Sequence, residues 1–241
     1  MPLRCIDPTN DNRGVHCFDL TDAEWKALEA RNRRERHLRM PCCDAEVVFR
    51  RPRSRIKHFA HKARPRGCLG GPETEHHIYL KMLAVERARL TGWEANTEVR
   101  GKTPKGEPWI ADVLATRKGE RALAIEIQWS RQTRDETRRR SRRYDDSRVR
   151  GIWLMRRVHP DASQDIHATV FGISEEEQFA EGIPYSPSPR PKEVWPWRYT
   201  VRGPRKMSVE SFLDAVFEDR IKYGLPNYAG DPEGWHVTTK G

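Results

Sequence analysis

Asp112 stands in the middle of an otherwise apolar run, Ile110-Ala111-Asp112-Val113-Leu114. A charge there is costly to bury unless it is paired or coordinated. A second run, Ala124-Ile125-Glu126-Ile127-Gln128, puts Glu126 and Gln128 two residues apart. On a strand that spacing places both on one face, with Leu123, Ile125 and Ile127 on the other. If the two runs form a hairpin, Asp112 and Glu126 sit side by side. Adjacent carboxylates repel each other and are stabilised by a divalent cation such as Mg2+ or Mn2+, which suits hard oxygen ligands. Such a cation polarises a scissile phosphate and generates hydroxide from water. Gln128 would orient that water by hydrogen bonding. The competing reading is structural: both acids would pair with arginines of the basic segment that follows.

That segment is crowded with arginine, including Arg134, Arg138, Arg140, Arg142 and Arg143. Guanidinium forks match phosphate oxygens, so a helix carrying them beside the acids would bind DNA along its backbone. Asp135, Glu136, Asp145 and Asp146 offset part of the charge, as on an ordinary solvated face. A separate cluster, Cys42, Cys43, His58, His61 and Cys68, falls within one short stretch. Thiolates and imidazoles so placed suit structural zinc, against the alternative of a small core containing cysteine.

The elements that must position these groups follow from periodicity and punctuation. Residues 1–20 read as polar and turn-rich. Thr21 with Glu24 makes a capping box for a helix to about Asn32. Glu46–Arg50 and Arg55–Ala60 read as a small β-hairpin. A helix opens at Pro72 and stops at Gly92. Strands are expected over Trp93–Val99, Trp109–Ala115 and Ala122–Trp129. Thr133 and Glu136 cap a basic helix to about Tyr144, and Gly151–Met155 is a further strand. Strand, helix, strand implies a parallel pair, and hence a mixed sheet between helices. Residues 159–206 are rich in Pro, Ser and charge, with Tyr185, Trp195, Trp197 and Tyr199, and read as an irregular extension covering the core. Ser208 caps a last amphipathic helix, and 224–241 read as a loose tail. Three regions result: 1–70, 71–157 and 158–241.

Composition narrows the class. The 241 residues carry 45 Lys plus Arg against 35 Asp plus Glu, a net charge of +10. That balance favours a polyanionic partner, because each neutralised phosphate releases a counterion. No apolar run has the length of a membrane-spanning helix, and Met1–Thr21 lacks a signal-peptide core. A cytoplasmic location without a membrane partner is expected, with the five cysteines as thiols rather than disulfides.

Asp112 followed by Glu126-x-Gln128 at a hairpin's distance resembles the PD-(D/E)XK nuclease pattern, and the order helix, three strands, helix, strand is similar to that superfamily's core. Four blocks, His58-Phe59-Ala60-His61-Lys62, Glu73-Thr74-Glu75-His76-His77 with Lys81, Ala124–Ser130 and Gly151-Ile152-Trp153-Leu154, resemble successive blocks of the competence protein CoiA-like family over roughly residues 40–156. The resemblance implies an α/β, restriction-endonuclease-like αβββαβ core. A small β-hairpin Cys/His unit precedes it, and an irregular, partly helical extension follows. It implies that Asp112 and Glu126 bind the catalytic metal and that an acid and a His of the first core helix join them. Glu73, His77 and Lys81 share one helical face, with Glu75 as the alternative acid. Arg140 and Tyr144 look like a recurring pair of the basic helix. The superfamily's usual Lys is Gln128 here, a weaker group for developing phosphate charge, and Lys81 is the candidate replacement. Family members often carry Cys-Pro-x-Cys where this chain has Met40-Pro41-Cys42-Cys43. Adjacent cysteines rarely share a metal, so the expected zinc set is Cys43, His61 and Cys68, with Cys42 or His58 as the fourth.

The expected function is a Mg2+-dependent deoxyribonuclease acting in DNA uptake, processing, recombination or defence. The alternatives are a non-catalytic DNA-binding module that keeps the nuclease fold, and a zinc-stabilised adaptor for a protein partner.

Overall fold

The computed structural model describes residues 2–51, 56–68, 73–130, 132–156, 169–174, 193–196, 207–224 and 234–237. The chain opens with a hairpin, β1 (Arg4–Asp7) and β2 (Arg13–His16), where the sequence suggested only turns. Asp11 and Asn12 make the reversal at φ of 47° and 55°, a backbone region that short polar side chains tolerate better than most. A single 3-10 turn leads to α1 (Asp22–Glu35), capped by the reciprocal Thr21–Glu24 box and ended by Arg36 in the left-handed conformation. β3 (Val47–Arg50) and β4 (His58–His61) pair antiparallel, with Phe49 opposite Phe59. Leu3, Trp25, Leu38 and Phe59 form the core of this N-terminal unit, and Ile78 from the next helix is buried in it.

α2 (Glu75–Leu90) is capped by Thr74, and Gly92 at φ 81° stops it. β5 (Glu94–Lys102), β6 (Pro108–Thr116) and β7 (Ala122–Gln128) form an antiparallel meander. α3 (Arg134–Asp146) crosses to β8 (Val149–Met155), which runs parallel to β7 as expected for a helical crossover. The helix, three strands, helix, strand order and the mixed sheet are thus as the sequence suggested.

The region after residue 157 departs from an irregular extension. β9 (Thr169–Ser174) adds parallel to β8, and β10 (Glu193–Pro196) and β11 (Met207–Ser208) follow antiparallel. The sheet order is β11-β10-β9-β8-β7-β6-β5. α4 (Val209–Phe217) starts at the Ser208 cap, and β12 (Ile221–Gly224) pairs with β13 (Gly234–Val237) inside the stretch read as a tail. These strands are two to six residues long, too short to show alternation, and β9–β11 depend on a sheet edge that the core supplies. Trp195 lies in β10; Tyr185, Trp197 and Tyr199 lie outside the described residues.

Neighbouring residues on β7 separate the layers. Ile125 packs with α2 and α4 through Leu80, Leu83 and Phe212. Ala124 packs on the other face with Ala111, Val149 and Tyr144 of α3. No helix among the described residues is long and apolar enough to cross a membrane.

Candidate active site

The β6–β7 ladder runs from Ala115–Leu123 to Val113–Ile125. One step further in that register stand Asp112 and Glu126, but their carboxylates turn to different helices, Asp112 to His77 of α2 and Glu126 to Tyr144 and Arg140 of α3. There the Asp112 carboxylate replaces the ladder: its Oδ2 accepts the Ile127 backbone N–H at 2.9 Å. Its Oδ1 lies 3.2 Å from His77 Nε2, and that nitrogen is 4.0 Å from Glu73 Oε1. Glu73, His77 and Asp112 each offer a ligand atom within 4.8 Å of the others. Glu73 stands just before the Thr74 cap and His77 in the first turn of α2, and tertiary packing brings Asp112 to them. Glu75 begins α2, but its side chain lies outside the described residues.

Lys81, one turn beyond His77, is completely buried. Its ammonium donates to both Glu73 oxygens at 2.8 and 2.9 Å and to Glu98. This corrects the expectation that Lys81 reaches DNA or a phosphate: it is consumed by two carboxylates inside the protein. Glu98 was not anticipated. It sits in β5 at φ 50°, accepts the Thr97 hydroxyl proton and the Leu3 backbone N–H, and is nearly buried. The same cue that marks Asp112, an acid inside a strand, also marks Glu98, and the β5–β6 register sets Glu98 opposite Asp112.

Charge balance sets the ionisation of these groups. Burial opposes a charged His77, but Asp112 and Glu73 outweigh it and raise its pKa. Burial likewise opposes ionised Asp112, yet His77, Lys81 and the Ile127 amide hold it well below the carboxylate range. For Lys81, Glu98 and Glu73 overcome desolvation and keep the ammonium charged.

Glu126 faces α3. It is 1% exposed and accepts hydrogen bonds from the Tyr144 hydroxyl and the Arg140 guanidinium. Burial pushes its pKa up to about 7, against the pull of Arg140. Arg140 also stacks over Trp153 at 4.6 Å and donates to Gln132. The Arg140 and Tyr144 pair of the resemblance therefore acts on Glu126. Gln128 is half-buried at the cleft, its amide donating to Ser130 O and Oγ at 3.0 and 2.8 Å. Of the other α3 arginines, Arg143 reaches Glu107 at 3.3 Å, Arg142 is exposed, and Arg134 and Arg138 are partly buried.

The second cluster also assembles. His61 Nε2 lies 3.2 Å from Cys42 Sγ, 3.1 Å from Cys43 Sγ and 3.4 Å from Cys68 Sγ. Cys42 Sγ is 3.7 Å from Cys43 Sγ and 3.5 Å from Cys68 Sγ. Adjacent cysteines share the group because the chain turns tightly over Met40–Asp44, with Asp44 N–H on Met40 O at 3.0 Å and Asp44 at φ 62°. Cys42 is thus the fourth member. His58 is not: it is buried, with Nδ1 3.1 Å from Ile56 O. Cys5 and Cys17 are buried core thiols.

Residues 73–184 match the family model described as competence protein CoiA, nuclease-like domain. This segment is similar to the CoiA nuclease-like domain. The match begins at Glu73, holds every group of the Asp112 site, and runs past β9, so the CoiA-type segment includes the fifth strand of the sheet counted from β5. No curated protein and no solved structure matches the chain.

Proposed function

We propose that this protein is a divalent-metal-dependent nuclease of PD-(D/E)XK type that hydrolyses DNA phosphodiester bonds. The observation that carries the reading is the convergence of Glu73, His77 and Asp112 at one point of a CoiA-type nuclease-like domain. The donor set fits a cation. His77 Nε2 is buried and makes no well-formed hydrogen bond, although two carboxylates lie within 4.0 Å of it. The two hard carboxylate oxygens suit Mg2+ or Mn2+, and the borderline imidazole favours the softer Mn2+ of the two. A cation held there supplies Lewis-acid polarisation of the phosphate and neutralises its charge. Asp112 is kept ionised for that role by the nearby Lys81 ammonium and the Ile127 amide. Glu126 adds a further carboxylate beside Asp112, with Tyr144 and Arg140 setting its position. Gln128 holds the attacking water by hydrogen bonding in place of the usual Lys, and Arg142 and Arg143 receive the nucleic-acid backbone.

The Cys42, Cys43, His61 and Cys68 group supports a separate structural zinc. A tetrahedral Cys3His site with Zn–S of about 2.3 Å has ligand-to-ligand edges of roughly 3.5–3.8 Å, close to the 3.1–3.7 Å found. The biological setting this reading suggests is DNA uptake, processing or defence.

The deciding experiment is incubation of linear and circular DNA, single- and double-stranded, with Mg2+ or Mn2+. Scission by wild type, reduced at least ~100-fold in Asp112→Ala and Glu126→Ala as expected for losing a charge-stabilising group, supports the nuclease. DNA binding by folded wild type without scission would favour the binding module instead. Elemental analysis should find one zinc per chain, and its absence from metal-replete preparations would remove the zinc assignment.

A further inference from the structure

The cleft holding Asp112 has a second wall, which lies outside the CoiA-type segment. A cavity of about 810 Å3 is lined both by Ala60, His61 and Arg64 of the N-terminal unit and by Asp112, Gln128 and Arg143. Two members of the Cys/His group, Cys42 and His61, form part of that wall.

The wall is tied to the acids. Phe59 N–H donates to Pro2 O at 2.9 Å, Leu3 N–H to Glu98 Oε1 at 3.4 Å, and Arg4 Nη2 to Glu98 O at 3.1 Å. Arg64 is exposed, and one guanidinium nitrogen donates to Cys68 O at 3.0 Å, joining it to the loop of the Cys/His group. Arg143 of α3 lines the same cavity. A cleft of 810 Å3 lies in the range of small-ligand sites, roughly 300–1,000 Å3. A compact space of that volume is roughly 12 Å across, narrower than the body of a duplex, whose two grooves are about 8.5 and 7.5 Å deep, so a duplex lies over the mouth whereas an unpaired strand enters.

We propose that the Cys/His unit is half of the substrate site, so that a single DNA strand passes between it and α3, its phosphates met by Arg64 on one side and Arg143 on the other. This rests on the nuclease reading and names its substrate form. The N-terminal unit then has a binding task beyond stability, and the Cys/His group fixes the loop that presents Arg64.

Fluorescence anisotropy tests it, with labelled single-stranded and duplex oligonucleotides, Ca2+ in place of Mg2+, and a series of salt concentrations. Full-length wild type is compared with Arg64→Gln at matched zinc content; glutamine removes the charge but keeps an amide donor for Cys68 O. Wild type should prefer the single strand. Arg64→Gln should bind it about tenfold more weakly, with the slope of log K against log salt reduced by about 0.7 for one lost phosphate contact. An unchanged affinity and slope, beside a wild type that binds the single strand, would overturn the two-walled site and leave the nuclease reading standing. Tighter binding of the duplex would overturn the single-strand assignment. Binding of neither DNA by wild type would overturn the nuclease reading itself.

Discussion

Lys81 shows how a single side chain can hold a site without touching what the site binds. Its ammonium lies between Glu73 and Glu98, and Glu73 in turn is 4.0 Å from His77. Removing one partner of a buried ion group leaves the others uncompensated, at a cost of about 3–5 kcal/mol. Lys81→Met should therefore lower the unfolding free energy by an amount in that range, read from the fall in urea midpoint at a little-changed m-value. An unfolding free energy within ~0.5 kcal/mol of wild type would show that the triad contributes little. At this scale the spacing of His77 and Lys81 was legible, because one turn of α2 relates them, whereas Glu73 joins them from outside the helix, just before its Thr74 cap. Their inward aim was not, since burial depends on what β5 and β6 present to α2.

The elements were legible where local chemistry defines them. The Thr21–Glu24 box, the Thr74 and Thr133 caps and Gly92 mark the helix ends at the residues expected to within a turn. The β5–β6 hairpin adds a feature that pattern alone does not give. A Cβ on Gly101 would stand 2.0 Å from Cζ2 of Trp109, so the indole lies directly on the glycine backbone. That placement aims Trp109 at Tyr144, edge-on at 5.2 Å, and lets its Nε1 donate to Ser147 Oγ at 2.9 Å. Gly101→Ala should displace the indole and cost about 1–3 kcal/mol by overpacking, read as a lower thermal midpoint and blue-shifted or broadened tryptophan emission. Wild-type stability and emission in the variant would mean that the strand gives way instead.

Across the whole molecule, the N-terminal unit and the sheet meet at a buried histidine. His16 Nε2 accepts the Thr97 backbone N–H of β5 at 3.3 Å. Burial lowers its pKa from 6.5 to about 4, with Asp19 opposing and Arg4 and Arg89 adding to the fall. The folded protein therefore prefers the neutral ring. Its contribution to stability is fully present above pH 6.5 and is lost as the pH falls from there through about 4. Urea midpoints of wild type should decline over that interval more steeply than those of His16→Gln. Parallel pH profiles for the two proteins would place the acid sensitivity elsewhere.

What the sequence determined by itself is the set of groups and the order of elements. Apolar alternation, caps and glycines act between near neighbours, so the meander, the basic helix and the acids at 112 and 126 could be read directly. Tertiary structure decided the convergence. Glu98 joins Lys81 only through the β5–α2 packing, and Glu126 turns to Tyr144 and Arg140 because α3 lies over that sheet face. Cys42 and Cys43 meet His61 only after Met40–Asp44 closes its turn against the β3–β4 hairpin. Each of these depends on contacts between residues distant in the chain, whose pairing follows from the packed core rather than from any local pattern.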